Sequence, residues 1–223
     1  MAKDRDAFKF LLLASAISIA FWFVPYLSFI VYPFRLFVTF IHEGGHALAT
    51  LLTFGSVDRI VIHQDGSGET YSRGGAQLLV ASAGYLSSTL YGALLLVFCK
   101  RGQHVKPVLA TTAGVILAMT ALYVSGVFGW LAGIVIATGL IFVTLVATPR
   151  VAHFFLSFLA VQCSLNALYD LRTLFLVSAY SSGASDAVNM YRMTFIPPIV
   201  WAVIWLGVSL LVLFMALRSY RRG

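Results

Sequence analysis

Apolar runs long enough to cross a bilayer follow one another along almost the whole chain, and that narrows the possible folds more than any other feature. A helix needs about 20 predominantly apolar residues to span the hydrocarbon core. Such runs cover residues 8–31, 34–54, 75–98, 107–124, 127–147 and 194–217, and a further apolar helix starts near Thr148-Pro149-Arg150. At that depth no water is available to satisfy backbone amides, and a helix satisfies them within its own segment. The expected fold is an all-α polytopic membrane protein of about six to seven transmembrane helices, with residues 1–223 as a single integral membrane unit. The count turns on 107–147, which either splits into two spans near Ser125-Gly126 or is partly re-entrant.

Composition agrees with this. With 60% hydrophobic residues, 10% charged residues and a mean hydropathy of +0.92, the chain lies outside the range of ordinary soluble domains. Its net charge of +7 does not point to nucleic acid, because Lys100, Arg101, Lys106, Arg150, Arg218, Arg221 and Arg222 sit at segment ends. Loop charge bias and anionic lipid headgroups produce that placement, so the expected partner of these cations is the bilayer. Loop charges by themselves place the polar 55–73 stretch outside the cell, which does not settle the orientation. The two cysteines, Cys99 and Cys163, lack metal-ligand spacing and read as buried thiols. The run 8–31 is too long for a signal-peptide core and reads as a retained first span.

Inside the second run stands His42-Glu43-Gly44-Gly45-His46. Residues four apart share a helix face, so His42 and His46 can offer two imidazole nitrogens to one Zn²⁺. Neutral imidazoles leave the ion's charge uncancelled, and Glu43 stands beside them as the general base. Ionisable groups are expensive at membrane depth, which favours this metal reading over an incidental spelling of the motif. Gly44 and Gly45 lower helix propensity but let another backbone, or an extended substrate, approach closely.

Two further stretches carry polar chemistry. Residues 55–73 alternate, with Asp58, Ile60 and Ile62 opposite Val57, Arg59, Val61 and His63, and Asp65-Gly66-Ser67-Gly68 supplies a turn, so a β-hairpin is expected there. His63 reads as an exposed polar residue rather than a ligand. Farther on, Gln162, Asn166 and Asp170 recur every four residues on one face of an apolar helix. Two histidines leave a zinc site one protein ligand short, and Asp170 is the preferred candidate to complete it, with Asn166 as a donor to the developing oxyanion. Asp186 is the rival third ligand; its Ser185-Asp186 setting also suits an ordinary helix cap.

A His-Glu-x-x-His motif buried in a hydrophobic helix of a short polytopic chain resembles the site-2 protease family of intramembrane zinc metalloproteases, and within it the compact bacterial and plant branch. The matching stretches are His42 to Ala49, Ser82-Ala83-Gly84-Tyr85-Leu86, Asn166 to Leu171, and Ser185-Asp186-Ala187 followed by Ile196-Pro197. The resemblance implies a multi-pass protein of a bacterial cell membrane that cleaves a peptide bond in or near a transmembrane segment of a membrane-protein substrate. It also implies that the hairpin pairs with unfolded substrate. The alternative is a non-proteolytic membrane chaperone or adaptor that keeps the protease fold.

Overall fold

The computed structural model describes the backbone of residues 9–18, 28–101, 104–180 and 185–222, and the side chains of these residues apart from 28, 100, 101, 166–180 and 219–222. The described elements begin with α1 (Lys9–Ser18) and continue as α2 (Ser28–Leu52), β1 (Ser56–Ile62), β2 (Gly68–Arg73), α3 (Gln77–Arg101) and α4 (Val105–Leu122). After these come β3 (Val124–Ser125), α5 (Val127–Val146), α6 (Pro149–Tyr180), α7 (Asp186–Thr194) and α8 (Pro198–Arg222). This is the expected class, helical and membrane-embedded with a small sheet after the motif helix.

Two expectations are corrected. Among the described residues, four helices are long and apolar enough to cross a membrane (Gln77–Cys99, Val105–Leu122, Val127–Val146 and Pro198–Arg218), fewer than the six to seven expected. The motif helix α2 has the length but carries Arg35, His42, Glu43 and His46, whose polarity offsets its apolar residues. The expected first span, 8–31, falls partly outside the described residues, as does much of the side-chain content of α6. The second concerns the start of the motif helix: the runs 8–31 and 34–54 predict a break at Pro33 with the helix beginning at about Phe34, whereas α2 begins at Ser28 and contains Pro33. Because Pro33 is in the second turn, the helix forgoes one amide donor near a terminus, where such a loss costs least.

Helix α3 occupies the middle of the fold, packed against α2, α6, α7 and α8. Its small residues allow this. A Cβ on Gly45 of α2 would overlap Ser87 Oγ and lie 2.8 Å from the Ala83 carbonyl, so the two backbones meet where the motif helix has no side chain. The close backbone approach expected at the motif glycines is therefore made by α3 at Gly45, whereas Gly44 faces the Met119 side chain of α4. Cys99 and Cys163 are both buried free thiols, as the sequence suggests. On the outside, α5 presents Val127, Val135, Phe142 and Leu145 as exposed apolar side chains, the surface a lipid solvent calls for.

The sheet has the order β2-β1-β3. β1 pairs antiparallel with β2, Ile60 opposite Thr70 and Ile62 opposite Gly68. It also pairs in parallel with β3, the short link between α4 and α5, where Ile60 lies opposite Val124. Ile60 and Ile62 are buried in the main core. An irregularity between Val57 and Arg59 takes Asp58 off that alternation, leaving its carboxylate to accept from Arg73 Nε at 2.8 Å. At the turn, Asp65 Oδ1 accepts from the Ser67 amide at 2.9 Å and the Ser67 hydroxyl at 2.6 Å. These two donors hold the Asp65 carboxyl below its ordinary value.

Candidate metal centre

Helical spacing in α2 sets the His42 and His46 rings side by side, with centroids 4.9 Å apart. His46 Nδ1 lies 2.7 Å from the Val80 carbonyl oxygen. A carbonyl only accepts, so in a neutral His46 the proton sits on Nδ1 and donates to Val80, leaving Nε2 as the nitrogen with a free lone pair. Metal-binding histidines are oriented in this way, through the ring nitrogen that does not bind.

Asp186 brings the third donor from the other end of the chain. Its Oδ2 is 3.1 Å from His42 Nε2 and 3.2 Å from His46 Nε2. Local sequence explains how α7 starts here. Ser185 is the N-cap, its hydroxyl accepting from the Val188 amide at 3.3 Å, and Phe195 closes the helix in the left-handed conformation. Because Ser185 does the capping, the Asp186 carboxylate is left for the histidines. Ala187 and Met190, buried against Ala81, Ala202 and Trp205, pin α7 to α3 and α8.

The donor set suits zinc. Ligand atoms about 2.0–2.2 Å from one tetrahedral ion lie about 3.3 Å from one another, close to the two His–Asp separations. One donor atom from each of His42, His46 and Asp186 lies within 4.8 Å of the others. The space in front of the imidazoles is also kept clear, because a Cβ on Gly84 of α3 would overlap Nε2 of both histidines. Beside it, Tyr85 meets the His42 ring edge-on at 5.3 Å and stacks on Trp205 at 4.5 Å.

Glu43 meets the hairpin. It is 4% exposed, and its Oε2 accepts from the Thr70 hydroxyl at 2.7 Å. The hairpin is moored to α2 by two more bonds, Thr39 Oγ1 to the Gly66 carbonyl at 2.7 Å and Tyr32 OH to the Gln64 carbonyl at 2.6 Å. A cleft of about 1460 Å³ opens from His42, Glu43, His46 and Asp186 past β2 to Arg73, Gln77 and Asn189. Its walls mix polar and apolar side chains, and an extended peptide could lie along it.

The site residues read from the sequence divide into two groups. His42, Glu43, His46 and Asp186 come together. Asn166 and Asp170 lie on α6 but their side chains are outside the described residues. One turn before Asn166 on the same expected face, Gln162 does line the cleft, and its Nε2 donates to Ser18 Oγ at 3.3 Å. His63 is exposed, 3.9 Å from Glu69 Oε1, away from the histidine pair. Sequence reasoning missed Thr70 and the Val80 carbonyl, for which the sequence carries no signal. For Gly84, which shares a small-residue face with Ser87, Ser88 and Gly92, the sequence suggests packing against the motif helix or backbone exposed beside a substrate, and the structure places it in front of both imidazoles.

A protein-family model described as Peptidase M50B-like matches residues 12–216. No curated protein and no solved structure matches the chain.

Proposed function

The chain belongs to the Peptidase M50B-like family, a site-2 protease family of integral membrane metallopeptidases, and on that premise we propose that it is an intramembrane zinc metalloprotease. Its substrate is a membrane protein, hydrolysed at a peptide bond in or near a transmembrane segment. The observation that carries the reading is the meeting of Asp186 with His42, 144 residues away in sequence, and with His46 one turn on, with Glu43 adjacent.

His42, His46 and Asp186 hold the ion in this proposal, in place of the set ending in Asp170. A zinc ion bound there supplies Lewis-acid polarisation of the scissile carbonyl and lowers the pKa of a nearby water towards about 7. Glu43 takes a proton from the attacking water and delivers it to the leaving amide nitrogen. Val80 holds the His46 tautomer through Nδ1. The hairpin and α3 keep Glu43 and His46 away from bulk water, which strengthens the electrostatic interactions between them. The free side of β2, an edge strand in the described sheet, can add an extended substrate strand.

The test is zinc stoichiometry on detergent-purified chain. Wild type is expected to hold one zinc, His46→Ala and Asp186→Ala to lose it, and Asp170→Asn to keep it. Loss in Asp170→Asn with retention in Asp186→Ala would return the third ligand to α6. Glu43→Gln should keep zinc and lose cleavage of a single-span peptide substrate. A folded wild type that takes up no zinc would remove the peptidase reading and favour the adaptor.

A further inference from the structure

Glu43 needs a defined orientation to act as a base, and its own helix does not supply one. The described partner of its carboxylate is across the hairpin, where Thr70 Oγ1 lies 2.7 Å from Oε2 and 3.1 Å from the Glu43 carbonyl oxygen. Two residues earlier on the same face of β2, Gly68 has no side chain and so leaves room beside the other carboxylate oxygen. A Cβ at Gly68 would stand 2.7 Å from Glu43 Cγ and 2.8 Å from Oε1. The strand register fixes both residues, because Thr70 lies opposite Ile60 and Gly68 opposite Ile62, and both isoleucines are buried in the core. Motif helix and hairpin thus meet at one carboxylate.

We infer that Thr70 is a positioning residue for Glu43, its hydroxyl donating to Oε2 so that Oε1 is left to take the proton, with Gly68 providing the room for this contact. The inference rests on the metalloprotease reading above. A carboxylate held by one donor keeps one rotamer and one accepting oxygen, and a hydrogen bond to a charged group is among the stronger ones. Without that donor the buried carboxylate would lose both its partner and its aim. A merely structural threonine would instead influence stability, with catalysis and substrate binding changing together or not at all.

The experiment compares Thr70→Val, which keeps the shape and removes the hydroxyl, with Thr70→Ser, which keeps the hydroxyl. The full chain is purified in detergent, loaded with zinc and assayed on a single-span peptide carrying a fluorophore and quencher. Thr70→Val should retain one zinc per chain and a near wild-type KM while kcat falls roughly ten- to hundredfold, and Thr70→Ser should recover most of kcat. Wild-type kcat in a zinc-loaded Thr70→Val chain overturns the inference and leaves the protease reading standing. A wild type that binds no zinc overturns the protease reading itself. A zinc-loaded wild type that leaves the peptide intact overturns the protease reading and, with it, the inference that rests on it.

Discussion

Gly84 is the residue on which the space in front of the two imidazoles depends. Any side chain there would overlap Nε2 of His42 and of His46, and the crossing of α2 and α3 leaves little room to retreat, because Gly45 already packs on Ala83 and Ser87. Gly84→Ala should therefore abolish zinc binding in a chain that still folds, at a cost of about 1–3 kcal/mol for overpacking. Metal analysis beside a thermal melt checks this, and a full zinc complement in Gly84→Ala would mean that the helices separate to admit a methyl group. At this scale the sequence was informative where chemistry is local. His42, Glu43 and His46 were legible because helical spacing alone puts the two histidines on one face. Thr70 was not, because its role comes from a partner 27 residues away.

At the scale of elements, α7 is the part that completes the site. It is a helix of nine residues, too short to be stable alone, so its position depends on Ala187 and Met190 docking under Trp205 and Ala81. Met190 is 1% exposed. Met190→Ala should cost about 2–5 kcal/mol in docking and weaken zinc binding more than tenfold, as read by competition with a chelator. Unchanged zinc affinity would show that α7 is held by other contacts. The hairpin was readable in advance because alternation and turn residues are local signals. Its third strand was not, because Val124 and Ser125 reach β1 only through the folding of α4 and α5 against each other. The cap reading of Ser185-Asp186 was half of the answer, since Ser185 caps the helix and the neighbouring carboxylate faces the histidines.

For the whole molecule, the exposed apolar surface is the main property, because it is what lipid contacts. Val135, in the middle of α5, is 66% exposed. Val135→Arg should cost about 2.5–3.5 kcal/mol if that face meets hydrocarbon, seen as reduced membrane insertion or a lower unfolding midpoint in bilayers, whereas an unaffected variant would place the face in water. Among the described residues fewer helices qualify as spans than expected, and α2 is one that does not, because it gives up hydropathy to Arg35, His42, Glu43 and His46.

By itself the sequence determined the membrane class, the motif helix with two histidines on one face, and the hairpin that follows it, because each depends on hydropathy or on spacing within one element. Tertiary structure decided which carboxylate faces the histidines, which backbone orients His46, and that the hairpin closes over Glu43. Those outcomes follow from helix packing that joins residues 27 to 144 positions apart, and no local pattern encodes the crossing of α3 over α2 that brings them together.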